Sequence, residues 1–460
     1  VVGETARDAR RPHMLVVMAD QLGAHVVDRD EGWVATPNLD RLRRDAAQFE
    51  RAYVTFPLCV PSRASLLTGR MPHELGVGGN RPTALPDGTR YSAEPGAGTD
   101  SLGRMMSAAG YDCAYAGKWH ATSPSAPPDA GFEVVRPFGD RGLAEACGDW
   151  LRGRGDEERP FLLMASFDDP HTICEYARRQ PMPYGDVEPG ELRDAPPLPV
   201  NATPAPFEPE AVRFEKLAAQ QVYGTAEYTS EEWRLYRAAY RRLVERADAY
   251  LGRLLDALDA AGLRERTLVI VTSDHGDGDG AHSWNQKTAL FEECTRVPLI
   301  VSGPGVVRGA RSDPVSVGLD LLPTLLREAG EPAPSGLLGV PLALHDDDEQ
   351  PAVERVIGAE TRFEHADPPL TRGRAIWQGS YKYTLYSWGR YREQLHDLRS
   401  DPGEQRNLAV ESRFDAVRDR MRASLLDWCR RTGDDEFLKL LLLPSCASSA
   451  LHDEIFAIPY

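Results

Sequence analysis

Four short polar clusters carry residue types suited to holding an anion and moving a proton. They are Ala19-Asp20-Gln21, Gly117-Lys118-Trp119-His120, Asp168-Asp169-Pro170-His171 and Ser273-Asp274-His275-Gly276. The carboxylates of Asp20 and Asp274 with the imidazole of His275 can hold a divalent cation, and the Lys118 ammonium can neutralise an oxyanion. The imidazoles of His120 and His171 are of a type that can exchange protons with a reacting group. A fifth segment, Cys59-Val60-Pro61-Ser62-Arg63, adds a nucleophile. Pro61 suits the first turn of a helix, which sets Cys59 beside unbonded N–H groups at a positive dipole end, a favourable place to meet an anion. Taken singly, each has a plainer reading: a strand-end Asp often caps a turn, and a Cys before a Pro-started helix often packs in a core. The conjunction is what points to chemistry.

The elements that must position these groups are legible around them. Each cluster follows an apolar run of strand length, at 14–18, 111–116, 161–167 and 268–272. Near-continuous apolar strands suit a sheet covered on both faces, and helical segments between them imply parallel crossovers. The fold class is therefore α/β, a large mostly parallel sheet sandwiched by helices. Ligands of such sheets bind beyond the carboxyl ends of the strands, where all four clusters fall. Apolar residues at helical spacing from Trp233 to Leu258 predict one long amphipathic helix over 231–263, stopped by Gly262, its aromatic stripe facing the core. Further helices are expected at 319–329, despite Pro323, and at 413–431. The Pro- and acid-rich stretch 181–209 reads as an irregular excursion that borders the substrate or wraps the surface. The acid run Asp346-Asp347-Asp348-Glu349 reads as a solvated linker, dividing a catalytic α/β domain (1–345) from a smaller C-terminal α+β subdomain (346–460). In the latter, strands are expected at 353–358 and 375–386, then the helix and a tail, 443–460, that docks on its own chain or on a neighbouring subunit.

Composition bounds the partners. The chain has 460 residues, with 70 acidic and 53 basic side chains and a formal charge of −17. A phosphate-tracking surface needs a basic excess and a membrane span about 20 apolar residues, so neither nucleic acid nor membrane is the expected partner. Seven cysteines without C-x-x-C spacing do not make a disulfide scaffold. Apart from Cys59, they are expected to pack, with Cys174, three residues after His171, the one of most interest. The polar opening segment shows no apolar signal stretch, and a cytoplasmic location is the expectation.

The segment 58–70, with C-x-P-S-R, a short helix and a Gly stop, resembles the signature of the type I sulfatases, formylglycine-dependent enzymes of the alkaline phosphatase superfamily. The resemblance continues in order through 35–40, 110–120, 166–171, 272–277, 287–298, 320–324, 395–398 and 401–404, over roughly residues 14–410. It implies an alkaline phosphatase-like fold and hydrolysis of an organic sulfate monoester by S–O cleavage. It implies that formylglycine-generating machinery converts Cys59 to an aldehyde, whose hydrate attacks sulfur with one hydroxyl and expels sulfate with the second. Asp20, Asp274, His275 and the modified Cys59 would hold one divalent cation, Ca2+ ahead of Mn2+ or Mg2+, with Gln21 nearby. Arg63 would bind the modified residue and a ligand carboxylate, and Lys118 a sulfate oxygen. His120 would act as base in sulfate release, while His171 and Lys287 would meet the leaving oxygen. His282 and Asn285 either contact substrate or cap their loop. Ala19-Asp20 stands where many sulfatases have paired acids, and His275 where many have Asn. Asp with His resembles the branch of choline sulfatases and phosphonate monoester hydrolases, which keeps a phosphonate or phosphate ester hydrolase as an alternative. The expected substrate, a small molecule or an oligosaccharide, is a carbohydrate sulfate, with an aryl or alkyl sulfate as a further alternative. Arg136, Arg178, Arg179 and Trp284 are candidates for reading a polyanionic sugar. A non-catalytic binding protein and a homo-oligomer are left open.

Overall fold

The computed structural model describes residues 11–440, apart from 29–31, 85–89, 93–94, 96–98, 122–126, 155–158, 349–353 and 367–370. The main sheet has eight strands: β1 (His13–Ala19), β2 (Ala46–Phe49), β3 (Asp112–Gly117), β4 (Glu133–Arg136), β5 (Phe161–Phe167), β6 (Thr267–Thr272), β7 (Ile300–Ser302) and β8 (Gly309–Arg311). Their spatial order is β8-β2-β7-β6-β1-β5-β3-β4. Strands β6, β1, β5, β3 and β4 run parallel, while β7 runs antiparallel between β6 and β2. The four strands expected from apolar runs are thus the contiguous centre of the sheet. The short edge strands lacked runs long enough to stand out.

Alternation along β1 sends Leu15, Val17 and Ala19 into one apolar layer and Met14, Val16 and Met18 into the other, so the strand is buried throughout. On the first face lies the long helix, Ser230–Ala260, presenting Tyr236, Tyr240, Leu243, Leu251 and Leu254. It starts at a capping box in which Thr229 and Glu232 exchange hydrogen bonds, and Gly262 follows its end in a left-handed conformation. On the second face lie Cys59–Thr68 and Val317–Glu328, which keeps Pro323 within it. The stretch 181–209 is irregular apart from a single turn at Leu192–Asp194. It crosses the long helix, where Arg246 donates to the carbonyls of Tyr184 and Gly185. A helix not expected from sequence, Glu210–Tyr223, follows it. No helix among the described residues is long and apolar enough to cross a membrane.

A second, antiparallel sheet takes the order β9 (Ile357–Arg362), β10 (Arg372–Gln378), β11 (Tyr381–Tyr386), β12 (Glu393–Asp397). Two expectations are corrected here. The strand placed at 353–358 begins at Ile357, and residue 353 lies outside the described residues. The run 375–386 is two strands, because Gly379, at φ 60°, turns the chain back into a hairpin. The last long helix, Asp415–Thr432, packs on this sheet through Trp428, whose indole covers Gly358 closely enough to leave no room for a Cβ. The tail 443–460, with Cys446, lies outside the described residues.

Candidate active site

The carboxyl ends of β1, β3, β5 and β6 converge on the first turn of the helix Cys59–Thr68. Cys59 is the first helical residue, fully buried, following Leu58 in extended conformation. Its Sγ lies 3.2 Å from His275 Nε2 and accepts from Lys287 Nζ at 3.1 Å. Burial alone would push the thiol up, but Lys287, His275 and Lys118, with a hydrogen bond from His120, pull it well below its usual value. The field at this point therefore favours negative charge.

Asp20, Cys59, Asp274 and His275 each offer a ligand atom, all within 4.8 Å of one another. Asp20 Oδ1 is buried with no hydrogen-bond partner among the described residues and lies 3.8 Å from His275 Nε2. His275 Nε2 is also 3.8 Å from Asp274 Oδ1. On its other side, His275 Nδ1 bonds the Gly276 carbonyl at 3.0 Å, which makes Nδ1 the protonated nitrogen and leaves Nε2 a lone pair to offer. An orphaned carboxylate oxygen facing an imidazole lone pair is unfavourable in a dry interior unless a cation lies between them, so these residues fit a divalent metal.

The other carboxylate oxygens are held by cations. Arg63, itself buried, donates through Nε to Asp274 Oδ2 at 2.7 Å and through Nη2 to Asp20 Oδ2 at 2.9 Å. Its Nη1 reaches the Lys118 carbonyl at 2.6 Å and Ser166 Oγ at 2.8 Å, tying β3 and β5 to the helix. Lys118 Nζ lies between Asp20 Oδ2 at 2.9 Å and Asp168 Oδ1 at 2.8 Å. Burial and the Cys59 sulfur would raise Asp20, but Lys118, His171 and Arg63 hold its carboxyl well below the usual range.

His171 Nδ1 stands 3.9 Å from Asp168 Oδ1, with Nε2 4.0 Å from Cys174 Sγ. Burial opposes its protonation, as do Lys118 and Lys287, yet Cys174 and Asp20 prevail and its pKa is pushed up to about 10. It is an acid at neutral pH. His120 occupies a left-handed conformation, φ 38°, with Nδ1 buried and without a hydrogen-bond partner among the described residues. Lys287 Nζ also donates to Gln21 Oε1 at 3.2 Å.

Family models and a relative aligned along nearly the whole chain fix the family. The family model "Sulfatase" matches residues 12–331, and "N-sulphoglucosamine sulphohydrolase, C-terminal" matches 280–431. The chain is 30% identical to the Delta 4,5-hexuronate-2-O-sulfatase of Bacteroides thetaiotaomicron, over 96% of this chain and 94% of that one. The chain belongs to the sulfatase family. It is a sulfuric ester hydrolase, similar also to the choline-sulfatase of Rhizobium meliloti, at 28% identity over 88% of this chain and 83% of that one. A solved 2-O GAG sulfatase superposes with a TM-score of 0.77 at 28% identity, covering 93% and 94% of the two chains. A phosphonate monoester hydrolase of Agrobacterium radiobacter, at 22% identity and TM-score 0.69, covers 92% and 96% and shares the fold.

In this sulfatase the structure brings together Asp20, Cys59, Arg63, Lys118, His120, His171, Asp274, His275 and Lys287. It does not bring His282 to them. Left-handed residues at Asp279, His282, Ser283 and Gln286 coil the loop after β6, and the His282 ring stacks on Phe291 at 3.9 Å. Burial, then His396, Lys216 and Lys382, push its pKa down to about 3, so it is a neutral brace bonded to Asn201. Asn285 Oδ1 accepts from Thr225 Oγ1 at 3.1 Å, and its buried Nδ2 has no partner among the described residues. Trp284 is a packing residue whose Nε1 donates to the Lys287 carbonyl. Arg136 donates to the Arg141 carbonyl at the sheet edge, and Arg179 pairs with Glu232.

Sequence reasoning left unassigned several residues that shape the site. Asp168 joins Lys118 to Tyr184, whose hydroxyl donates at 3.1 Å. Asp140 accepts the backbone N–H groups of Asp168 and Asp169 at 2.8 and 2.9 Å, and burial next to Asp169 pushes it up to about 7. Asp277 receives Gln21 Nε2 at 2.6 Å and Tyr236 Oη at 3.0 Å. Asp168 stood inside a quoted cluster, but the adjacent Asp169 gave no means to choose between them. Asp140 carries no motif.

Proposed function

We propose that this sulfatase cleaves the S–O bond of a carbohydrate sulfate monoester, releasing the alcohol and inorganic sulfate. The observation that carries the reading is the buried set Asp20, Asp274 and His275 gathered around Cys59 at a helix N-terminus, with Lys118 and Lys287 on either side. The carbohydrate assignment is supported by the hexuronate sulfatase relative and by an N-acetylglucosamine-6-O-sulfatase, 24% identical over 88% of this chain. A divalent cation held by Asp20, Asp274, His275 and residue 59, Ca2+ ahead of Mn2+ or Mg2+, would neutralise a sulfate oxygen, and formylglycine made from Cys59 would supply, as its hydrate, the attacking hydroxyl.

The remaining work falls to side chains that are in place. Lys118 and Lys287 neutralise sulfate oxygens as charge develops. Arg63 fixes both ligand carboxylates in one geometry. His171, protonated, gives its proton to the leaving oxygen as the S–O bond breaks, and His120 takes the proton from residue 59 that sulfate release requires. Mass spectrometry of the Cys59 peptide, from a host able to make formylglycine, combined with sulfate release from sulfated disaccharides, tests the reading. Formylglycine with release is expected. An unmodified thiol with no release overturns it.

A further inference from the structure

Arg178 ends the short helix Ile173–Ala177 that follows His171, and its backbone N–H bonds the Cys174 carbonyl one turn back. Cys174 is the residue whose sulfur faces His171 and Gln286. The Arg178 guanidinium lies 4.5 Å over the ring of Tyr223, the last residue of Glu210–Tyr223. Two residues on, Thr225 bonds Asn285, close in sequence to Lys287, which touches Cys59. Tyr223 senses the charges of Cys174, Lys287 and Cys59, and burial pushes its phenol up. The Arg178–Tyr223 pair thus borders the chamber that holds Cys59.

Among the described residues Arg178 pairs with no carboxylate, although acids outnumber bases by 70 to 53. Its neighbour Arg179 is exposed and paired with Glu232. A half-buried guanidinium stacked on an aromatic ring keeps its planar fork free for an oxyanion. We infer that Arg178 reads a second anionic substituent of the sugar, a carboxylate or a further sulfate, while the sulfate to be cleaved sits at Cys59. The inference rests on the carbohydrate reading above.

The test compares wild type, Arg178→Ala and Arg178→Lys on three kinds of substrate. These are a sulfated uronic-acid disaccharide and its carboxyl-reduced counterpart, a doubly and a singly sulfated glucosamine, and 4-nitrophenyl sulfate. A charge-assisted pair predicts a loss of about 10- to 100-fold in kcat/KM for Arg178→Ala, mostly in KM, on substrates bearing the second anion. Activity on 4-nitrophenyl sulfate changes less than about twofold, and Arg178→Lys recovers part of the loss. The substrate pair that shows the loss identifies the anion. Equal losses on every substrate, or none on any, overturn the assignment of Arg178. A wild-type enzyme that turns over 4-nitrophenyl sulfate but no sugar sulfate overturns the carbohydrate reading instead.

Discussion

At the Cys59 sulfur, four cationic or polar side chains outweigh burial, so the position is built for a negative charge before any substrate arrives. Cys59→Ala removes the proposed source of the nucleophile and leaves this framework, so sulfate release should vanish while circular dichroism and thermal melting stay close to wild type. His171 is expected to matter in proportion to how badly the leaving group needs a proton. His171→Ala should slow alkyl or sugar sulfates by about 100-fold or more and 4-nitrophenyl sulfate far less, the range general acids contribute. Equal losses across leaving groups would remove His171 from that role. The orphaned Asp20 oxygen would make a cation bound beside it a folding ligand as well. Ca2+ or Mn2+ added to chelator-treated Cys59→Ala protein should raise Tm with concentration, and Asp20→Asn should abolish most of the rise.

At the scale of elements, the site depends on how four parallel strands end. Gly117 closes β3 at φ 92°, and a Cβ there would fall onto the Ser166 carbonyl and Leu143. It is the residue that lets β3 lie against β5 while turning Lys118, whose N–H bonds Ser166 O at 2.8 Å, toward Asp20. Gly117→Ala combines a left-handed conformation with a backbone clash, and should destabilise the fold by roughly 2–4 kcal/mol, read by urea unfolding. Its residual activity should fall through kcat, since Lys118 moves with the strand end. Asp140 serves the neighbouring turn by holding two successive N–H groups, which fixes Asp168 against Lys118.

Across the molecule, the small sheet braces the chamber from behind. Thr361 donates to the Thr288 carbonyl at 2.6 Å, and Glu360 N–H bonds Thr55 O at 2.8 Å, so β9 supports the approaches to both Lys287 and Cys59. His73, just beyond the Cys59 helix, bonds Glu360 at 2.9 Å and the Thr432 carbonyl at 3.0 Å, while Arg374 joins Glu360 to Asp434. Burial opposes the His73 cation, but Glu360, through charge and hydrogen bond, and Asp434 push its pKa from 6.5 up to about 9. A pKa raised on folding contributes stability that is complete below about 6.5 and lost as pH rises through about 9. His73→Gln should therefore lose on the order of 3 kcal/mol relative to wild type near pH 6, with the gap closing toward pH 9.5 in melts across that range. The net charge of −17 gave no guide to the anion site, because Arg63, Lys118 and Lys287 act at contact distance while most acids lie outside it.

Residue type and strand-length periodicity sufficed to show the central strands and the clusters at their ends, because apolar runs and functional groups are local features of the chain, while the site roles of Arg63 and Lys287 came from the resemblance to the sulfatase signature. The edge strands, the hairpin at Gly379 and the helix Glu210–Tyr223 escaped, since they are short or are set by packing against distant segments. His282 and Asn285 were indistinguishable in sequence from their neighbours. Only the left-handed turns of their loop determine that Lys287 reaches Cys59 while His282 stacks on Phe291. Pairing across the fold likewise decided that Arg179 is neutralised by Glu232 and Arg178 lies over Tyr223, because a charge partner hundreds of atoms away along the chain leaves no mark in the order of residues.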